Sequence, residues 1–417
     1  MIGFIIIIIV FGGLFFLYFN SITSFIKALI TCAISLQFIL AKVNFLFTNL
    51  SFVFLYLFMT ILLILTLAKV INNRHFRVVV GSQILFIFYI FSISLVRGSF
   101  LQMLDFTKFY FLQSILFSLI VSSRKNSDKI QIDRFIITLV LFLSILAISQ
   151  YLLPIYSNFF VPDLSSFGYN VGKSDQFKRV VGLSISPTNF GNILALLLIY
   201  IAHLYHKIED LKISKVIFVL CITLGFLALI LTGIRTSLVS FIVGILLIGL
   251  LNINKRLIFI IFVSTILFFS AFDKIIEIGS QYSNEEGFSN PIGRTFQFFS
   301  MIKDGGISSE STLSLSLIAL KDFFNNPLFG SGDEMNWLQA FSISDAYFLY
   351  HLVQFGIVGL FIIYIPYLYT INQNRNKIIF VLFITLVLQT FTDTGLFNNT
   401  SNIIFWSLAA INNENKY

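Results

Sequence analysis

Three arginines and one aspartate stand apart in an apolar chain. They are Arg179 in FKRVVGLSISPTNFGN, Arg235 in LTGIRTSLVSF, Arg294 in GRTFQFFSMIKDGG and Asp345 in SISDAYFLYHLVQFGIVGL. A guanidinium stays charged and presents a planar fork that matches phosphate oxygens. A carboxylate can take a proton from a hydroxyl, as carboxylates commonly do in glycosyl chemistry. Together these residue types suit the binding of a phosphorylated group and the activation of an alcohol. Each also has a plainer reading. An arginine at a helix end snorkels or anchors the helix at an interface, and an aspartate ahead of a helix caps it. For Asp345 the two roles are compatible.

The local contexts sharpen these options. Arg235 opens an apolar run over 236–252, so a helix N-terminus would add partial positive charge for the same anion. Pro187 suits the first turn of a helix over 189–206, and Asn189 suits its cap. Gly305 follows Arg294 by eleven positions, close to three helical turns, so the two would share a face. Phe298, Phe299 and Ile302 repeat at helical spacing, which fits an interfacial helix with Arg294 at its start. The stretch NNPLFGSGDEMNW over 325–337 is turn-rich. Arg97 reads as a snorkelling helix end, His351 as a core histidine, and His203 and His206 fall at the opposite end of their span.

These residues need a scaffold, and the composition says which kind. The 417 residues are 57% hydrophobic and 11% charged, with a mean hydropathy of +0.93. Apolar runs long enough to cross a bilayer recur along the chain. They fall at 2–19, 24–41, 48–68, 78–96, 105–123, 135–153, 189–206, 216–233, 236–252, 257–272, 346–369, 378–394 and 400–412. Backbone polar groups in lipid must be satisfied within the segment, so the runs are expected to be helices. The expected fold is an all-α polytopic integral membrane protein of about 12–13 transmembrane helices with a large outer loop. The first run lacks a basic flank and a small-residue cleavage site, and reads as a retained span. With thirteen spans Met1 lies outside; with twelve it lies inside, and 24–41 is the weakest span.

The net charge of +8 is explained by topology rather than by nucleic acid. Basic gaps at 69–77, 124–134, 206–215, 254–256 and 374–377 fall on one side, which the positive-inside rule makes cytoplasmic. They are short, and no GxxxxGK[ST] occurs, so a cytoplasmic nucleotide-binding domain is excluded. Outer loops are expected at 154–188 and 273–345, the second long enough for a capping subdomain. Cys32 and Cys221 lie inside apolar runs and read as core residues; no metal-spaced ligand cluster is visible.

The layout resembles the polytopic O-antigen polymerases and their relatives, the O-antigen ligases, across most of the chain. The resemblance rests on RVVGLSISPTNFGN, TGIRTS, NPLFGSG in the late outer loop, and the D-x-x-x-L-x-x-x-x-x-x-G-I-V-G run that follows. The family carries RX10G patterns in two outer loops. Arg294 to Gly305 fits that spacing, and Arg179 to Gly191 is one residue longer. Ligases usually show a histidine followed by asparagine where the final run begins; here Asp345 and Ala346 stand there. The family's frequent arginine before the Pro-Leu-Phe-Gly turn is replaced near Ser311 and Thr312.

The resemblance implies a metal-independent glycosyltransferase without cofactor in the cytoplasmic (inner) membrane of a bacterium, with its site facing the periplasm or exterior. Donor and acceptor would be oligosaccharides on undecaprenyl diphosphate, and a chain-length regulator is an expected partner. Arg179, Arg235 and Arg294 would bind diphosphate, Asp345 would be the base, and Gly305, Pro187 and Asn189 would support them. A ligase, or a lipid-linked oligosaccharide flippase, is the alternative expectation. Charged residues deep within spans and on both leaflets would mark a flippase, whereas here the non-loop charges cluster at the outer ends.

Overall fold

The computed structural model describes residues 2–42, 48–97, 114–123, 128–152, 180–184, 186–251, 321, 323–330, 347–374, 376–392 and 399–413. Among them every regular element is helical. The helices are α1 (Ile2–Asn20), α2 (Ile22–Lys42), α3 (Thr48–Val70) and α4 (Arg74–Arg97), then α5 (Ser114–Ser123). There follow α6 (Asp128–Leu152), α7 (Pro187–His203), α8 (Lys215–Leu231) and α9 (Arg235–Leu251). The last are α10 (Tyr347–Gln373), α11 (Ile378–Thr392) and α12 (Asn399–Asn412). Among the described residues, four stretches are long and apolar enough to cross a membrane: Arg74–Ile93, Lys129–Leu152, Pro187–Lys207 and His351–Gln373. Large apolar side chains such as Ile9, Ile64, Phe88 and Val216 are exposed on the helices. An apolar surface of that kind needs a lipid covering.

The helices follow the apolar runs, with two informative differences. Helix α4 starts at Arg74, inside the expected basic loop, because the Asn73 side chain accepts from the His75 amide at 2.9 Å and caps it. Helix α6 starts at Asp128, also inside an expected basic loop. Its added polar turns are held by partners. Asp133 is buried and accepts from the Tyr200 hydroxyl at 2.6 Å, while Arg134 Nε donates to the Leu211 carbonyl at 2.7 Å. Of the expected spans, 105–123 is described only over its last turns, and 257–272 lies outside the described residues.

The chain divides into two compact units. The first takes in Met1–Val10, Lys27–Ser51 and Ser127–Ile307. Its centre is α7, in which every residue from Phe190 to Ile201 is buried, against α6, α8 and α9. A helix apolar on all sides belongs in such a position. Cys221 of α8 is buried there and donates to the Ile137 carbonyl at 3.5 Å, while Cys32 is half-buried; both are free thiols.

The second unit takes in Phe11–Ile26, Phe52–Asn126 and Ser308–Tyr417. Its buried helix is α12, which packs on α11 and carries Phe405 and Trp406 against Tyr367 of α10. Asn402 of α12 accepts from the Tyr367 hydroxyl at 2.6 Å, and Asn374 Nδ2 donates to Ala409 O at 3.3 Å. Helices α4 and α10 share a second apolar cluster of Phe86, Ile90, Ile93, Phe355, Leu360, Ile362 and Ile363.

Candidate functional site

Four helix ends meet at one end of the first unit. Gln150, in the last turn of α6, is buried and holds the chain that leads into α7. Its Oε1 accepts from Gly182 N at 3.0 Å and Val181 N at 3.3 Å, and its Nε2 donates to Gly182 O at 2.8 Å. Gly182 has φ +56, and a Cβ there would run into the Phe190 ring. Glycine is therefore required both by backbone sign and by space. One residue earlier than this clamp, Val180 N donates to the Leu231 carbonyl that ends α8, at 3.3 Å.

Helix α7 then begins. Ser186 is its cap: its backbone is extended, and its hydroxyl accepts from Asn189 N at 3.1 Å. Pro187 takes the first helical position, as expected from its fixed φ and missing N–H. Asn189 is not the cap. It is the first-turn residue whose amide is capped, because Pro187 sets the helix start two positions earlier than the apolar run suggests.

Helix α9 begins alongside. Thr232 donates to Leu229 O at 2.7 Å and accepts from Ile234 N at 3.3 Å. Gly233, at φ +66, reverses the chain, and Arg235 is the first residue of α9, half-buried. The two helices are fastened together near their starts. Ser237 Oγ donates to Asn192 Oδ1 at 2.7 Å, both side chains fully buried. A Cβ on Gly191 would lie 2.9 Å from Ser237 Oγ and 3.2 Å from Thr232 Oγ1, so the missing side chain permits the approach. Two helix N-termini thus lie side by side with Arg235 on one of them. Such termini carry partial positive charge, offset in part by the C-termini of α6 and α8 at the same end, so Arg235 is the cationic group that suits an anion.

In the second unit, NPLFG and the GIVG run are likewise joined. Helix α10 breaks at Gly356, with φ 63 and ψ −175. Past the break, Ile357 N donates to Pro327 O at 3.0 Å and Val358 N to Leu328 O at 3.1 Å. The turn that supplies these carbonyls closes with Gly330 N donating to Asn326 O at 2.9 Å. Gly330, at φ +72, is nested against Gln354 and Gly356. The Tyr89 hydroxyl of α4 reaches the Phe355 carbonyl and, at 3.1 Å, the Phe329 carbonyl.

Arg235, Pro187 and Asn189 therefore gather at one end of the first unit. Arg179, Arg294, Gly305 and Asp345 lie outside the described residues, as do the 154–179 part of one expected loop and most of 273–345. Arg97 ends α4. His351 is buried and stacks on Phe355, as a core histidine does.

Sequence reasoning missed Gln150, Asn192, Ser237 and Tyr89. The available signal was amide and hydroxyl side chains set inside apolar runs, where polar groups are expensive without partners. It also misplaced His75. That residue is not in a loop but buried in α4, with Nδ1 2.9 Å from Ser118 Oγ and Nε2 2.7 Å from Thr370 Oγ1. The Thr370 hydroxyl donates to Pro366 O at 2.8 Å, so it accepts from the histidine and Nε2 carries the proton. His75 ties α4, α5 and α10 together and packs on Phe117.

The class these features define is an all-α, membrane-embedded protein. No protein-family model matches the chain, and no curated protein matches it in sequence.

Proposed function

We propose that the protein polymerises oligosaccharide repeat units carried on undecaprenyl diphosphate, at the outer face of a bacterial cytoplasmic membrane. One observation carries the reading. The segment VVGLSISPTNFGN and the junction TGIRTS are fastened by the Asn192–Ser237 bond, and Val180 bonds to Leu231 just ahead of the junction. The fastened end holds two helix N-termini and Arg235, the cationic group that suits a diphosphate.

In the proposed reaction the acceptor repeat's hydroxyl oxygen attacks the anomeric carbon of the donor glycan. A new C–O glycosidic bond forms as the anomeric C–O bond to lipid diphosphate breaks. The leaving diphosphate keeps the electron pair, and the hydroxyl proton passes to the Asp345 carboxylate. Attack opposite the leaving group inverts the anomeric centre. Arg179, Arg235 and Arg294 neutralise the charge that grows on the diphosphate, where fixed donors act most strongly. Gly305, Pro187 and Asn189 support these arginines. About 12–13 spans and the 154–188 and 273–345 loops would enclose the substrates, and a chain-length regulator is the proposed partner.

The test is chain-length analysis of surface polysaccharide in a deletion strain. Single repeats, or a core bearing one repeat, are expected. Loss of all surface repeats would instead mark a ligase. Purified protein that lengthens lipid-linked repeats in detergent without an energy source would exclude a flippase, and failure to do so under conditions that retain the fold would overturn the polymerase reading.

A further inference from the structure

Helix α9 is placed by α7 more than by its own neighbour in sequence. It packs along α7 and touches α8 only lightly, although a short turn joins it to α8. Lipid is as apolar as a leucine face, so burial alone does not say how far α9 is turned about its axis. Its sequence RTSLVSFIVGILLIGLL offers apolar residues on nearly every side. Directional contacts decide the rotation instead. The buried residues of α9 include Ser237, Ser240 and Gly244, small enough for helix backbones to come close.

The bond nearest the start of α9 is the one from Ser237 to Asn192. The Asn192 side chain is fully buried, and its Oδ1 accepts from Ser237 Oγ at 2.7 Å. Gly191 beside it brings α7 close, since a Cβ there would lie 3.3 Å from the Ser237 Cβ. The Ser237 carbonyl in turn accepts from the Ser240 hydroxyl at 3.0 Å, so Ser237 is held at both its side chain and its backbone. Arg235 opens α9 two positions before Ser237. Its Nε atom is buried while the residue as a whole is half-buried, so the root of the guanidinium fork is seated in protein. Turning α9 by one residue would swing Arg235 by about 100°. The bond that resists such a turn lies within one helical turn of the arginine.

We infer that Asn192 is a positioning residue for diphosphate binding: by holding Ser237 it fixes the start of α9 and so the setting of the Arg235 fork. The inference rests on the reading of Arg235 as a diphosphate contact. Asn192 touches no substrate. A planar fork engages two phosphate oxygens only when its plane is set, so a loosened helix start costs affinity for the anion and rate together.

The experiment uses the full-length protein purified in detergent. Asn192→Ala and Ser237→Ala cut the same bond from either side, and the serine change removes one oxygen only. Each is made alone and on an Arg235→Ala background. Binding of inorganic pyrophosphate is followed by titration calorimetry, and elongation of lipid-linked repeats as kcat/KM. Expected in each single variant are pyrophosphate affinity and kcat/KM both lowered about tenfold. On the Arg235→Ala background neither change lowers kcat/KM further, because the group that Asn192 positions is gone. An equal loss on both backgrounds marks a merely structural role and overturns the inference. So does undiminished pyrophosphate affinity in both single variants, or no pyrophosphate binding by the unaltered protein. Affinity and elongation unchanged by Arg235→Ala would remove the diphosphate contact itself, and the inference with it. No elongation by the unaltered protein sinks the polymerase reading alone, while the pyrophosphate titration still judges the link between Asn192 and Arg235.

Discussion

Gly330 and Gly356 occupy each other's missing side-chain space: a Cβ on either would overlap the backbone around the other. Both adopt positive φ, +72 and +63. The pair lets a turn near Pro327 dock into an interrupted helix and cap it with two carbonyls. Neither glycine is replaceable by a residue with a side chain. Left-handed backbone costs an L-residue about 1–2 kcal/mol, and overpacking about 1–3 more.

Gly356→Ala and Gly330→Ala are therefore each expected to destabilise the protein by about 2 kcal/mol or more. Gly12 and Gly13 in α1 have open space at the Cβ position. Alanine at either is expected to change stability by no more than about 1 kcal/mol. Thermal unfolding in detergent of the four variants checks the contrast. Equal stability across all four would contradict the nesting of the glycine pair.

Gln150→Leu removes the clamp on Val181 and Gly182. Two amides and one carbonyl lose a buried partner, and each such loss costs about 1–3 kcal/mol unless water enters. A lowered unfolding midpoint is expected, with the amide of Gly182 exchanging faster.

Ser237, in the first turn of α9, and Asn192, in the second turn of α7, are joined by a buried bond. A double-mutant cycle with Ser237→Ala and Asn192→Ala is expected to give a coupling of about 0.5–1.5 kcal/mol, typical of polar contacts between membrane helices. Strict additivity of the two changes would argue that the bond contributes nothing.

Arg235→Ala is expected to lower repeat-unit polymerisation about 100-fold, and Arg235→Lys to restore only part of it, since an ammonium lacks the planar fork. The readout is the length distribution of surface polysaccharide, with protein level in the membrane measured alongside. Normal chain length in Arg235→Ala would remove this residue from the proposed diphosphate site.

Hydropathy alone determined that the chain is helical and membrane-embedded, because a run of apolar residues in lipid has only the helix to satisfy its backbone. Local chemistry also placed two helix starts in the sequence. Pro187 lacks the N–H that a first turn leaves unused, and Arg235 opens the next apolar run. What sequence left open was which side chains meet. Helices such as α7 and α12 are apolar around most of their circumference, so periodicity does not say which face a neighbour will take. Gln150 finds Gly182 across 32 positions, and His75 finds Thr370 across 295. Those pairings depend on helix rotation and register, which only packing decides. The same holds for the GIVG run: its glycines are legible as letters, but that Gly356 breaks α10 follows from the turn and the tyrosine that take over its hydrogen bonds.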